Sequence, residues 1–332
     1  MAASTQFAAT LIFLFLSHFL RGLNSATFTI VNKCNYTVWP GILSGAGTAQ
    51  LATTGFALQP GESNTVAVPT AWSGRLWGRT LCSTDPNGKF SCITGDCGSS
   101  AVECDGGGAD PPATLAEFTL NGAGGMDFYD VSLVDGYNLP MKVEPQGGGG
   151  GNCTATGCVA DLNGGCPAEL KVKTEASGEG VACKSACEAF GDPRYCCSGA
   201  YGTPQACRPS SYSQLFKSAC PRAYSYAYDD ATSTFTCSSA DYLITFCTSS
   251  PKRSIKSGNG KYPVAVEISV GHGQRNGSKK AMMVAIIIVV LTIWWQLQLR
   301  LLRDAENFTI NYPTVKELLL KEDASLLNVI PD

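Results

Sequence analysis

The chain has 332 residues, 27 acidic against 24 basic for a net charge near −3, 16 cysteines, and two histidines. The slightly acidic balance lacks the basic footprint of a nucleic-acid-binding protein. Both histidines, His18 and His272, lie outside the cysteine-bearing stretch 34–247, so that stretch can assemble no Ser-His-Asp or Cys-His nucleophile and no histidine zinc site.

Residues 1–25 have the form of a secretory signal, with an apolar run over 7–20 and small residues ahead of Ala26, and removal would start the mature chain at Ala26 or Thr27. From there, short β-branched and aromatic runs alternate with Gly, Pro and Asn. This predicts strands over 27–31, 36–39, 64–68, 75–79, 113–120 and 128–134, the spacing of a β-sandwich or barrel. Residues 82–111 hold four cysteines among many glycines and read as a small stapled lobe. The glycine run 147–151 lacks a following lysine and helix, so it reads as a linker and not as a phosphate cradle. Dense cysteine over 153–221 marks a disulfide-rich second lobe, with short helices expected over 183–190 and 211–218. A final strand is expected over 237–247.

Beyond it, residues 248–280 are polar and carry Lys252, Arg253, Lys256, Lys261, Arg275, Lys279 and Lys280, a stalk by composition. The uncharged run 281–299 would reach about 28 Å as a helix, enough to cross a bilayer core. With the signal, it predicts a type I protein of the plasma membrane, with the cysteine-rich domain outside and residues 300–332 as a cytoplasmic tail. A lipid-anchor signal beginning at Asn276-Gly277-Ser278 is the rival, with secretion as the other alternative. It fits less well because a further stretch follows the apolar run. Between 26 and 247 there are 20 acidic and 12 basic residues, so neither nucleic acid nor anionic lipid is an expected partner of the outer domain.

An even number of cysteines confined to one stretch implies complete pairing in an oxidising compartment. Spacing does not decide who pairs with whom. Asn35-Tyr36-Thr37 and Asn152-Cys153-Thr154 are glycosylation triplets on the outer side of this topology. Asn276 and Asn307 head two more, the last expected to be cytosolic and unmodified.

Several segments together carry a resemblance. They are Gly88-Lys89-Phe90-Ser91-Cys92-Ile93-Thr94-Gly95-Asp96-Cys97, Arg75-Leu76-Trp77-Gly78-Arg79, Pro111-Pro112-Ala113-Thr114-Leu115-Ala116-Glu117-Phe118, Asp127-Phe128-Tyr129-Asp130 and Tyr195-Cys196-Cys197. Over roughly 26–247 the chain resembles the thaumatin-like proteins, the pathogenesis-related group five of plants. One departure is Ser100, where the family usually carries a second glycine. The resemblance implies a mainly β fold: a thaumatin-like β-sandwich with a disulfide-rich second lobe and a small stapled lobe. The expected C-terminal transmembrane helix follows it. It also implies the pairs Cys34 with Cys247, Cys82 with Cys92, Cys97 with Cys104, Cys153 with Cys237, Cys158 with Cys220, Cys166 with Cys183, Cys187 with Cys196, and Cys197 with Cys207.

In that family an Arg, a Glu and three Asp line a cleft, and the matching positions here are Arg75, Glu117, Asp130, Asp135 and Asp230. Arg79 is the less favoured occupant of the arginine role. Clustered carboxylates raise one another's pKa while an arginine keeps some of them ionised. Such a cleft would bind β-1,3-glucan or another wall polysaccharide, with Tyr129, Tyr137 or Phe90 offering ring faces to sugars. The family role is defence against fungi. Two alternatives stand beside it. One is a weak endo-β-1,3-glucanase, with Glu117 as proton donor and Asp130 or Asp135 as second carboxylate. The other is a truncated cell-surface receptor signalling through residues 312–330. No cofactor and no metal are expected, and the domain is expected to be a monomer.

Overall fold

Alternating apolar and polar residues build most of the regular structure in the computed structural model, which describes residues 26–175 and 177–248. The expected signal peptide, the stalk beyond Thr248, the span 281–299 and the tail 300–332 lie outside the described residues. Among those described, no helix is long and apolar enough to cross a membrane.

Among the described residues, thirteen strands form two main sheets and a small ribbon. The first sheet has the order β3 (Ser63–Val68), β1 (Ala26–Asn32), β13 (Asp241–Phe246), β8 (Met141–Gln146) and β9 (Thr156–Cys158). The second runs β12 (Phe235–Cys237), β7 (Asp127–Ser132), β6 (Leu115–Thr119), β4 (Ser73–Thr84) and β2 (Trp39–Ser44), with β5 (Phe90–Thr94) pairing the far end of β4. The ribbon is β10 (Lys171–Lys173) with β11 (Gly180–Cys183). This is a mainly β sandwich, as expected.

Between the two sheets lies an aromatic core. Phe28 packs 4.4 Å from Phe118, and Tyr242 packs 5.2 Å from Phe118 and 5.1 Å from Tyr129, centroid to centroid. All four rings are buried, and each such pair adds about 0.5–1.5 kcal/mol beyond the area it buries. The first and last strands, β1 and β13, lie side by side and parallel, with Phe28 opposite Tyr242 and Ile30 opposite Ile244. Cys34 bonds Cys247 just beyond them, across a sequence separation of 213. In the chain-entropy picture closing a loop of that length contributes roughly 5 kcal/mol. The other seven disulfides join Cys82–Cys92, Cys97–Cys104, Cys153–Cys237, Cys158–Cys220, Cys166–Cys183, Cys187–Cys196 and Cys197–Cys207, and among the described residues no cysteine is free.

The outer face of the second sheet is covered at one end only. There the loop 95–104 folds over Trp77, whose indole N–H donates to the Gly95 carbonyl at 2.8 Å. Trp77 packs with Cys97, Cys104, Ala113 and Leu115 in a second apolar cluster. Gly41 permits this, since a Cβ there would fall 2.5 Å from the indole. Arg79 is fully buried beneath the same loop and donates to the carbonyls of Trp39, Pro40 and Val102 and to the Cys97 sulfur. Its guanidinium also lies 5.4 Å from the Phe90 ring centroid. Burial pulls its pKa down to about 10, against the opposing pull of Asp96 and Glu103.

Local expectations change at several places, among them the strand expected over 36–39, which is β2 beginning at Trp39. The helix expected over 183–190 starts later: Cys183 belongs to β11, where its N–H donates to Tyr137. Ser185 then caps α1 (Ala186–Phe190) by accepting from the Glu188 N–H. The expected last strand starts later, as β13 at Asp241, because Cys237 closes β12 of the other sheet and a turn with Ser239 at φ 56° intervenes. The glycine run is not a loose linker, because Gly149 exchanges both backbone hydrogen bonds with Ser238. Gly151 has φ 57° and sits where a Cβ would fall 2.4 Å from Thr236. Ser100, standing where the family has glycine, adopts φ 63°, so the left-handed turn forms without it.

Arg79→Ala would take a donor from three inward carbonyls, of which Pro40 keeps the Phe56 N–H, and each carbonyl left unmet costs about 1–3 kcal/mol. Guanidinium denaturation of this variant should show a loss of at least about 2 kcal/mol at unchanged slope, with the small lobe the first segment cut by protease. Wild-type stability would refute Arg79 as the lobe's anchor.

Candidate functional site

Beyond the covered end, strand register sets side chains in rows across the open face. Trp77 pairs with Gly41 and Leu115, which pairs with Ser132. Two residues along, outside the stapled lobe, the next row is Leu43, Arg75, Glu117 and Asp130. The row after that contains Ser73, Thr119 and Phe128. The same face continues through each strand because side chains repeat every second residue. These last two rows line an open groove of about 340 Å³, whose walls include Leu43, Arg75, Glu117, Phe128 and Asp130.

The groove holds one cation and two acids. Arg75 Nε lies 3.9 Å from Glu117 Oε1, with the two side chains 42% and 37% exposed. A pair so long and so wet contributes little to stability, but it biases the charge state. Burial pushes the Glu117 carboxyl up, Arg75 pulls it back, and Asp135 adds to the rise. Asp130 has no such relief. Burial first, then Glu117 and Asp230, hold its carboxyl well above the usual range, and its buried Oδ1 meets no hydrogen-bond partner.

Asp135 and Asp230 stand beside the groove, outside its lining. Asp135 follows β7 in a loop whose backbone carbonyl accepts from Ala113. It acts electrostatically on Glu117 and on Glu188, which pairs with Lys184 at 3.3 Å. Asp230 opens α4 (Asp230–Ser233) and accepts from the Tyr224 hydroxyl at 2.9 Å. The Tyr224 backbone runs along β7, donating to Val131 and accepting from Leu133. Lys217, on α3 (Ser211–Ala219), clamps this segment by bonding Asp229 at 2.8 Å, the Ala223 carbonyl and the Ser233 hydroxyl. The segment that follows the second lobe, gripped by the lobe's Lys217, therefore carries Asp230 to within electrostatic reach of Asp130.

The aromatic expectations are corrected. Tyr129 is buried and donates to the Thr154 carbonyl, and Tyr137 is buried and donates to the Ala160 carbonyl. Phe90 is buried beneath Arg79. None of the three offers a free ring face. Phe128 does line the groove, and the signal for it was its alternation with Asp130 on one strand. Asn35 and Asn152 are both exposed, and the Thr154 hydroxyl donates to Asn152 Oδ1 at 3.0 Å.

Asp130 holds its proton more tightly folded than unfolded. The associated stability is therefore complete below the unfolded-state pKa and lost as pH rises through the folded one. Asp130→Asn should raise the denaturation midpoint at pH 7 and change it least below about pH 4. A variant less stable at pH 7 than at pH 4, relative to wild type, would contradict the buried-acid geometry.

Residues 32–248 match the family model described as the thaumatin family. Thaumatin-like protein 1 of Arabidopsis thaliana is 61% identical over 239 residues, covering 70% of this chain and 90% of the relative. Pathogenesis-related thaumatin-like protein 3.5 of Cryptomeria japonica is 61% identical over 226 residues, covering 68% and 91%. A PR5-like receptor kinase of Arabidopsis thaliana is 55% identical over 245 residues, covering 73% of this chain but only 37% of the kinase. With this match, the sandwich and its cystine framework, the chain belongs to the thaumatin family.

Proposed function

We propose that this protein is an extracellular plant defence protein that binds β-1,3-glucan or another fungal wall polysaccharide in the groove of the second sheet. The observation that carries the reading is the open row Arg75, Glu117 and Asp130 beside Phe128 in a concavity of about 340 Å³. A neutral polyhydroxyl chain needs both hydrogen-bond acceptors and donors, and an apolar surface for the C–H faces of its rings. Glu117 accepts, Arg75 donates, and Phe128 supplies the ring. Asp135 and Asp230 flank the row and deepen its negative potential, which favours hydroxyl donors and repels acidic polymers. The relatives named for pathogenesis and the thaumatin-like group fit the defence assignment.

We further propose that the domain is tethered. The apolar run 281–299, preceded by a polar stalk and a signal-like start, is what a type I membrane protein carries, and the receptor-kinase relative favours a membrane-bound form. The same relative supports the second reading, in which the domain senses a ligand for a separate signalling partner. Hydrolysis is the third, with Glu117 and Asp130 as the carboxylate pair.

Binding and hydrolysis separate in one experiment, in which a β-1,3-glucan is incubated with the protein and scored for capture and for new reducing ends. Capture without new ends is the expected result. Phe128→Ala should weaken capture about threefold to tenfold, the worth of one aromatic contact of about 0.5–1.5 kcal/mol. If Phe128→Ala and Arg75→Ala both bind as wild type does, the groove is not the site. The tether is checked separately: the full-length chain should stay in the membrane pellet through an alkaline carbonate wash, and release into the wash would remove the span.

A further inference from the structure

The two groove carboxylates differ in surroundings more than in position. Arg75, Glu117 and Asp130 sit in one row on β4, β6 and β7. With strands about 4.8 Å apart, the single cation is one strand from Glu117 and two from Asp130. Among the described residues, no cation takes over on the other side of Asp130. Asp230 stands there with Tyr224, whose hydroxyl is engaged by Asp230 and the Thr234 hydroxyl. Lys217, one basic residue of that flank, is held by Asp229, the Ala223 carbonyl and Ser233. Arg222 lies over the Phe235 ring and donates to Ala155 and Thr154. Asp135 adds a further acid near Glu117. Asp130 thus faces two acids, and its buried Oδ1 receives no hydrogen bond.

We infer that Asp130, and not Glu117, is the proton-bearing acid of the groove: a neutral carboxylic acid whose O–H donates to an oxygen of the bound polysaccharide, beside Glu117 as the ionised acceptor. The ligand half of this inference rests on the polysaccharide reading above. An ionised carboxylate without donors in a buried position is costly, and protonation removes both the charge and one unmet acceptor. The raised carboxyl of Asp130, with burial as the leading cause, agrees with this placement. The assignment also completes the groove chemically. Ring and glycosidic oxygens only accept hydrogen bonds, so a wall of carboxylates alone would leave them unpaired. A neutral Asp130 beside an ionised Glu117 selects a sugar chain that sets an ether oxygen next to a hydroxyl, and it reverses the roles expected of the two acids.

The test needs no ligand to begin. Full-length protein labelled with 13C at aspartate and glutamate carboxyls is titrated by NMR, with Asp130→Asn and Glu117→Gln assigning the signals. The Asp130 midpoint is expected above that of Glu117 and above the ordinary value of about 3.9. A midpoint in the ordinary range, or below that of Glu117, overturns the inference. If Asp130→Asn does not fold, Glu117→Gln decides alone, since losing a neighbouring charge must lower the Asp130 midpoint and an unmoved midpoint overturns the proposed coupling.

Calorimetry with a β-1,3-glucan hexasaccharide supplies the binding arm. Asp130→Asn keeps a donor in place and should bind within about threefold of wild type, while Glu117→Gln should lose about tenfold, equivalent to 1.4 kcal/mol. A loss in Asp130→Asn as large as that in Glu117→Gln overturns the donor role. Failure of the wild type to bind the hexasaccharide would sink the polysaccharide reading and leave the titration to locate the proton.

Discussion

The anchoring of the small stapled lobe through Arg79 and Trp77 is the constraint on which the rest of the molecule depends. A sheet in a sandwich has two faces, and one of them must be covered or be polar. Here the second sheet buries its inner face against Phe28 and Tyr242 and covers only part of its outer face, with the loop that carries Cys97 and Cys104. Arg79 makes that cover rigid. Its guanidinium, always charged in water, is held inside by three backbone carbonyls and an aromatic face, an arrangement that only a planar, multiply donating cation can satisfy. Where the lobe stops, the sheet is open, and the open rows are the groove.

The disulfide-rich lobe supplies the other wall by a different device. Its helices are short, from the four residues of α2 (Pro193–Cys196) to the nine of α3, too short to be stable by propensity alone. Disulfides and polar anchors replace the missing apolar area. Lys217 shows how this reaches the groove: by gripping Asp229 and Ser233 it fixes the turn that presents Asp230 toward Asp130. Charge in the groove is consequently lopsided. Arg75 compensates one end of the acidic row, while the segment gripped by the second lobe adds acid to the other, so two carboxylates on neighbouring strands acquire different chemistry. Such separation by environment is a general way of producing an acid and a base from identical groups.

The mainly β class, the run of short strands in the first half and the presence of cystine-rich lobes were all legible in the residues, because each rests on local signals: period-two alternation, turn residues and cysteine density. Arg75, Glu117 and Asp130 were reached through the family resemblance alone, because the cross-strand register that sets them in one row is not written within any single strand. The late start of the last strand, at Asp241 and not at Cys237, was not legible. Ser239 at a left-handed φ makes the break, and serine seldom announces such a turn. Nor was the rigidity of the glycine run, which is set by Ser238 and Thr236 more than eighty residues away.

What the sequence by itself determined is composition-level chemistry: no histidine in the cystine-rich domain, an excess of carboxylates over arginines and lysines, and aromatic residues spaced for strands. Tertiary structure alone decided which aromatic ring meets solvent, burying Tyr129, Tyr137 and Phe90 while leaving Phe128 at the groove. It also decided which carboxylate lies within reach of Arg75. Burial and electrostatic neighbours depend on contacts between residues far apart in the chain, across strands joined in non-sequential order, and no local pattern encodes them. A strand shows which residues share its face, but the lobe that covers one end of that face and spares the other is brought there by Arg79 and by folding the chain as a whole.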